Sequence, residues 1–185
     1  RMHYVLTLAE KTGTLYSNSS ATSYGFGSIY WDDQLITFKA DGVTIDYTTD
    51  RSGNQDASLN DLVKIYCYAG GSASTYQRFP TGTSGSAVNA YSVVSGWTSA
   101  HAMTNLVFAV VEVNYSAERN IKGIGDVKFQ VTSSMNKPGD VIYDYATNSL
   151  YGANIAVAEI DTTTITALNS YSANSVSYVD EYSVT

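Results

Sequence analysis

The sequence has very little proline, cysteine and charge. Among its 185 residues are two prolines and one cysteine. Charged residues make up 15%, whereas about a quarter is typical of globular proteins. A single thiol, Cys67, cannot form an intrachain disulfide or a thiolate metal cluster. It lies in the apolar stretch 63–68, and we therefore expect it to be a small buried hydrophobic residue.

Other absences from the sequence argue against several classes of function. The net charge is −7 and no basic run occurs, which disfavours nucleic-acid binding. The sequence shows no secretory signal, transmembrane run or lipidation motif, so we expect no direct membrane contact. The two histidines, His3 and His101, lack metal-ligand spacing, and no phosphate-binding loop occurs. We therefore predict no cofactor, no metal site and no small-molecule substrate.

Carboxylate pairs are the feature that a hydrolase would need. Asp32-Asp33 is such a pair, but we interpret it as a turn, because aspartate tolerates turn conformations. Asp140 and Asp144, spaced i and i+4, are interpreted as a solvated helix face or cap. The stretch 83–86 does not have the form of a nucleophile elbow, and a triad assembled in space stays an open alternative. The prediction is that the chain is not an enzyme.

Tyrosine is abundant, with 16 residues, and threonine and valine are frequent. These residue types fit a pleated, half-buried surface and predict strands over the first two-thirds of the chain. A hairpin is predicted across Asp32-Asp33, and 126–132 is expected to pair with the apolar strand 106–115. The predicted strands cover 3–8, 27–31, 34–38, 43–47, 62–68, 106–115 and 126–132.

The last third changes character and predicts helices. Pro138 suits the first turn of a helix, and Gly152 is expected to end that helix in a left-handed conformation. Asp161 can cap a second helix through Leu168. The first helix should present one apolar face, formed by Val141, Ile142, Tyr145 and Ala146.

Strands followed by helices predict the α+β class. We expect a predominantly antiparallel β structure, sandwich or barrel-like, with one or two short helices in the C-terminal third. The predicted domains are a β-rich region over 1–135, with a flexible excursion at 70–90, and a helical segment over 136–185. We expect that segment to be docked on the sheet and to include the start of the next region of the chain.

The stretch from Val141 to Ala153 carries a recognisable string. It resembles a segment of the J-type tail-tip hub proteins of long-tailed phages, the host-specificity or tail-attachment family. That segment has a proline, then an apolar-Ile-Tyr-Asp step, a Thr-Asn step and Tyr-Gly-Ala. The matching family-motif residues, to which we assign a structural role, are Pro138, Ile142, Tyr143, Asp144, Asn148, Tyr151 and Gly152.

Weaker similarity extends over nearly the whole chain in the same order. It includes 4–10, 29–34, 101–102, 106–112, 124–131 and 161–167. Two family features are replaced, a Gly-Pro step by Lys11-Thr12-Gly13 and a proline by Gly125. The chain also stops soon after the second helix, so we expect an excised domain or a shortened relative. Since the family's receptor-binding role is attributed to its distal end, the resemblance does not imply receptor binding by this chain.

The resemblance implies a structural role in a virion. Family hubs form a threefold ring that closes the tail tube and links it to the fibre. The expected partners are therefore other tail proteins and two further copies in a homotrimeric ring, with membrane contact only through the host surface. The expected location is the phage tail, after synthesis in the host cytoplasm.

Two other functions remain open at this stage. A carbohydrate-binding β-domain, for example a host-surface adhesin, would display Trp31, Trp97 or some of the many tyrosines on one sheet face or loop. A phage-associated hydrolase would have a cleft with perturbed carboxylates. The structural role predicts instead that aromatic residues lie inside or at subunit contacts, and that sheet edges stay open for partners.

Overall fold

The structure is a computed structural model that describes residues 1–10, 13, 15, 24–69, 88–101 and 103–174. The chain divides into two compact units. Unit 1 consists of residues 1–12 and 23–133, and unit 2 of residues 13–22 and 134–185. The predicted turn at 11–12, most of the predicted excursion (70–87) and the stretch 83–86 lie outside the described residues.

The predicted fold class is confirmed. The described residues form two antiparallel β-sheets and three short helices, two of them in the C-terminal third. The prediction that the C-terminal segment docks on the sheet stays a prediction.

A five-stranded sheet contains the predicted hairpin. Its strand order is β5-β4-β3-β2-β8. The strands are β2 (Tyr24–Trp31), β3 (Gln34–Phe38), β4 (Ile45–Thr49), β5 (Gln55–Asp56) and β8 (Val127–Ser133). At the hairpin turn Asp32 and Asp33 have φ of 47° and 63°, the left-handed pair that a two-residue turn between twisted strands requires.

A three-stranded sheet is built around the most apolar strand. Its order is β1-β7-β6, with β1 at Met2–Glu10, β6 at Val63–Tyr68 and β7 at Leu106–Val113. The predicted pairing of 126–132 with 106–115 is wrong, because β7 pairs with β1 and β6, and β8 pairs with β2. Alternating apolar residues identify a strand but carry no information about its partner across a long connection.

The main core lies between the two sheets of unit 1. It combines Ile29, Trp31 and Ile45 of the five-stranded sheet with residues of the three-stranded sheet such as Val111. Ile45 is completely buried. Cys67 belongs to this core, and burial raises the pKa of its thiol, so the prediction of a buried hydrophobic residue is confirmed.

The opposite face of the three-stranded sheet has its own apolar cluster. Tyr68 and Phe108 stack there with ring centroids 4.7 Å apart. A short helix that the sequence analysis did not predict, α1 (Ala90–Val93), contributes the fully buried Ala90. At four residues the helix is too short to show a helical period in the sequence.

Unit 2 contains the two predicted helices. They are α2 (Pro138–Thr147) and α3 (Thr162–Ser172), with a 3-10 turn at Val157–Glu159 between them. Pro138 occupies the first turn of α2, and the Asp161 side chain caps α3 by accepting from the amides of Thr163 (3.0 Å) and Thr164 (3.3 Å). Among the described helices, none is long and apolar enough to span a membrane.

Candidate functional site

The junction of α2 and α3 is held by buried polar groups. The amide nitrogen of Gly139 donates to Oδ1 of Asn169 (2.8 Å), and Nδ2 of Asn169 donates to Oδ1 of Asp140 (3.2 Å). A side chain at Gly139 would come within 2.7 Å of the Ile165 carbonyl oxygen, so glycine allows the close approach. Asp140 is only 2% exposed, so the solvated-face alternative is wrong for it, whereas its position in the first turn of α2 agrees with the predicted place at the helix N-terminus.

Four of the family-motif residues build the loop that follows α2. The Tyr151 hydroxyl donates to Oδ2 of Asp144, while Oδ1 of Asn148 accepts from the Leu150 amide at 2.8 Å. The amide of Ala153 then reaches the Tyr145 carbonyl at 2.8 Å. The chain after the helix is thereby folded back onto the last helical turn. The fourth residue, Gly152, lies where the returning chain passes the helix.

Gly152 is needed for a different reason from the one predicted. The helix ends at Thr147, and Gly152 is not among the left-handed residues, whereas Asn154 is, with φ of 53°. A β-carbon at Gly152 would lie 2.0 Å from the Tyr145 carbonyl oxygen. Close backbone approach, and not a left-handed helix stop, therefore requires glycine here.

The predicted apolar face of α2 faces solvent in the structure. Val141, Ile142 and Tyr145 are between 48% and 60% exposed, and the buried residues of α2 are Gly139 and Asp140. The remaining motif residues lie on this helix, Pro138 exposed at its start and Tyr143 half-buried. We call the following exposed set the apolar surface of unit 2: Val141, Ile142, Tyr145, Leu150, Tyr151, Ile155 and Val157.

A groove of about 430 Å³ lies on unit 1, on the face of the five-stranded sheet away from the main core. Register places four of its residues in one row across four strands: Lys128 opposite Tyr30, Tyr30 opposite Leu35, and Leu35 opposite Thr49. Burial alternates along β2, so Ile29 and Trp31 enter the core while Tyr30 points outward at 36% exposure. The turn residues that complete the lining are Asp33, Asp50 and Arg51.

Charges in this groove are balanced and partly paired. Nζ of Lys128 lies 2.5 Å from Oδ1 of Asp33, and this ion pair holds the pKa of the exposed Asp33 carboxyl below its usual range. Asp50 is engaged by its own turn, with Oδ1 accepting from the amides of Ser52 and Asn54, each at 2.8 Å. Bonds from the Asn54 side chain and amide lower the pKa of Asp50. Both carboxylates are therefore ionised acceptors at neutral pH.

Glu112 carries a buried carboxyl group on the other sheet. It faces His3 and Lys64 in register, with Nε2 of His3 at 3.4 Å from Oε2 and Nε of Arg1 at 3.3 Å from Oε1. The Arg1 contact brings opposite charges close without forming a hydrogen bond to Oε1. His101 has a different partner, because it stacks on Trp97 at 5.5 Å.

The aromatic residue that lines the groove is Tyr30, one of the many tyrosines considered for sugar binding together with Trp31 and Trp97. Trp31 is 6% exposed in the main core, and the half-buried Trp97 packs against the second cluster. The alternation Ile29-Tyr30-Trp31 already implied that Tyr30 points to the opposite face from its neighbours. Within the described ranges, no group of three or more acidic, histidine or cysteine side chains could hold a metal ion.

Comparisons with models of protein families, with curated proteins and with solved structures found no match to this chain.

Proposed function

We propose that the chain is a structural part of a phage tail tip, a fragment of a J-type tail-tip hub protein, and not an enzyme. The observation that carries the proposal is the apolar surface of unit 2. Seven large apolar side chains of one short segment face solvent there. Val141, Ile142 and Tyr145 share one face of α2 by their helical spacing, and exposed apolar residues that lie together mark surfaces covered by another protein.

The family-motif string and the apolar surface coincide in sequence. Asp144, Asn148 and Gly152 shape the returning loop, and the same loop presents Leu150 and Tyr151 to solvent. A hydrogen-bonded loop that exposes large apolar side chains is what a protein that assembles with others would need. The partners we propose are other tail proteins and further copies of the chain in a homotrimeric ring, in the virion.

Open sheet edges in unit 1 support the same role. Among the described residues, β1 pairs only with β7, and β8 pairs only with β2. Each therefore has no strand partner on its outer side among the described residues, as expected of an edge that takes up a strand from a neighbouring protein. The low charge of the chain, 15%, also suits a surface that is largely covered in an assembly.

Complementation tests the proposal. The reading frame is interrupted in the phage or prophage that encodes it, and tails are inspected by electron microscopy. We expect particles with defective tails, rescued by the wild-type gene but not by the double variant Ile142→Asn/Tyr145→Ser. The control variant Tyr115→Ser removes an exposed tyrosine outside the apolar surface and should rescue. Circular dichroism must show that all variants are folded; complete tails without the gene would refute the proposal.

A further inference from the structure

We propose that the groove on the five-stranded sheet binds a saccharide, with the Tyr30 ring as its platform. This site lies in unit 1 and does not depend on the assembly role of unit 2. A pyranose presents C–H groups on one face of its ring and hydroxyls around its edge. It therefore suits a site that combines an accessible aromatic side chain with hydrogen-bonding groups, and the groove combines Tyr30, 36% exposed, with charged and hydroxyl groups.

The position of Tyr30 makes it a fixed platform. It lies in an inner strand, between Lys128 of β8 and Leu35 of β3, and both neighbours are directly opposite in register. Strands on both sides hold its backbone, so little conformational freedom is lost when a ligand covers the ring. Leu35, 40% exposed, extends the apolar floor beyond the ring.

The polar rim supplies both acceptors and donors. The Asp33 carboxylate is more than half exposed despite its ion pair, so it can accept from sugar hydroxyls. Arg51, in the turn that follows β4, is exposed, lines the groove and, among the described residues, forms no ion pair within 4.0 Å. A guanidinium offers several donors in one plane and can bind two adjacent hydroxyls or a carboxylate.

The same geometry disfavours other ligands and hydrolysis. Two acidic and two basic residues line the groove, so it has no excess of positive charge for a phosphate group. A glycosidase needs one carboxyl whose pKa is raised so that it can act as an acid. The pKa values of Asp33 and Asp50 are both lowered, which fits binding and not bond cleavage.

The test is a titration of the ¹⁵N-labelled full chain, followed by NMR. The probes are the methyl glycosides of glucose, galactose and glucuronic acid. We expect at least one of them to shift the amide signals of Tyr30, Leu35, Thr49 and Arg51. Tyr30→Ala should weaken binding about tenfold, whereas Tyr30→Phe keeps the ring and should bind within about threefold of the wild type. Tyr115→Ala, with an exposed tyrosine outside the groove, is the matched control.

The polar rim is tested separately with Arg51→Gln, which should weaken binding of the same glycosides about threefold or more. The proposal is overturned if none of the three glycosides shifts groove signals. It is also overturned if Tyr30→Ala or Arg51→Gln binds like the wild type. These variants leave the apolar surface of unit 2 intact. A loss of sugar binding can therefore be distinguished from a loss of tail assembly, which the complementation experiment measures.

Discussion

Gly152 shows how one residue can fix the path of the chain. Its α-carbon passes so close to the Tyr145 carbonyl oxygen that an added β-carbon would lie 2.0 Å from it. We predict that Gly152→Ala destabilises the loop and the end of α2 by about 2 to 4 kcal/mol, because the backbone must move. Amide hydrogen exchange in α2 measures the loss.

A control for Gly152→Ala lies two residues further on. Asn154 has φ of 53°, a conformation that glycine adopts more readily. Asn154→Gly should therefore change the stability by no more than about 0.5 kcal/mol. Equal effects of the two substitutions would contradict the steric explanation for Gly152.

Asp161 provides a residue-scale test of pH dependence. Hydrogen bonds from the side chain and amide of Thr164 lower the pKa of its carboxyl below the ordinary value of 3.8. A carboxyl whose pKa is lowered by folding stabilises the fold above its unfolded pKa. This stabilisation is lost as the pH falls through the folded pKa. We predict that the N-terminal turn of α3 loses order as the pH falls below the ordinary carboxyl value of 3.8.

Backbone chemical shifts of residues 162–166 at a series of pH values measure this change. Asp161→Asn keeps a side-chain acceptor for the cap but cannot titrate, so the acid-induced change in this turn should be much smaller. A wild-type turn whose shifts do not change on acidification would show that the ionised carboxylate is not what stabilises it.

At the scale of elements, α2 and α3 depend on one amide side chain. Asn169 accepts from Gly139 and donates to Asp140, and it is 7% exposed. Asn169→Ala leaves the Gly139 amide without this acceptor in a buried place, and we predict a loss of about 1 to 3 kcal/mol. Hydrogen exchange of α2 and α3 amides measures it. Ser170→Ala, at an exposed neighbour, should cost less than about 0.5 kcal/mol, and a similar loss there would contradict the prediction.

Structural features that depend on a few adjacent residues were predicted correctly from the sequence. The Asp32-Asp33 turn, the proline at the start of α2 and the Asp161 cap each depend on a few adjacent residues, and the structure contains all three. The partner of β7 was predicted wrongly, because strand pairing is decided by packing between segments that are distant in sequence.

The candidate sites were harder to predict from the sequence. The period of Val141, Ile142 and Tyr145 was recognised, but an apolar stripe does not reveal whether the protein itself or a partner covers it. The groove joins Tyr30, Thr49 and Lys128, which only the register of the five-stranded sheet brings together. A single sequence contains no direct signal for such a row.

At the scale of the whole of unit 1, one core joins both sheets. A substitution in this core should therefore destabilise both sheets together. Ile45 of the five-stranded sheet is fully buried in the same cluster as Val111 of the three-stranded sheet. We predict that Ile45→Ala costs about 2 to 5 kcal/mol, because it leaves a cavity between the layers. The loss of stability should accelerate hydrogen exchange equally in the amides of β3 and β7, although β7 forms no hydrogen bonds with β4.

Leu35→Ala is the control for this experiment, because Leu35 lies on the outer face of the same sheet and is 40% exposed. It should cost less than about 1 kcal/mol and leave β7 exchange unchanged. If Ile45→Ala accelerated exchange in β3 and left β7 unaffected, the two sheets would open independently. The two sheets, with the apolar residues that each contributes, would then be separately stable layers.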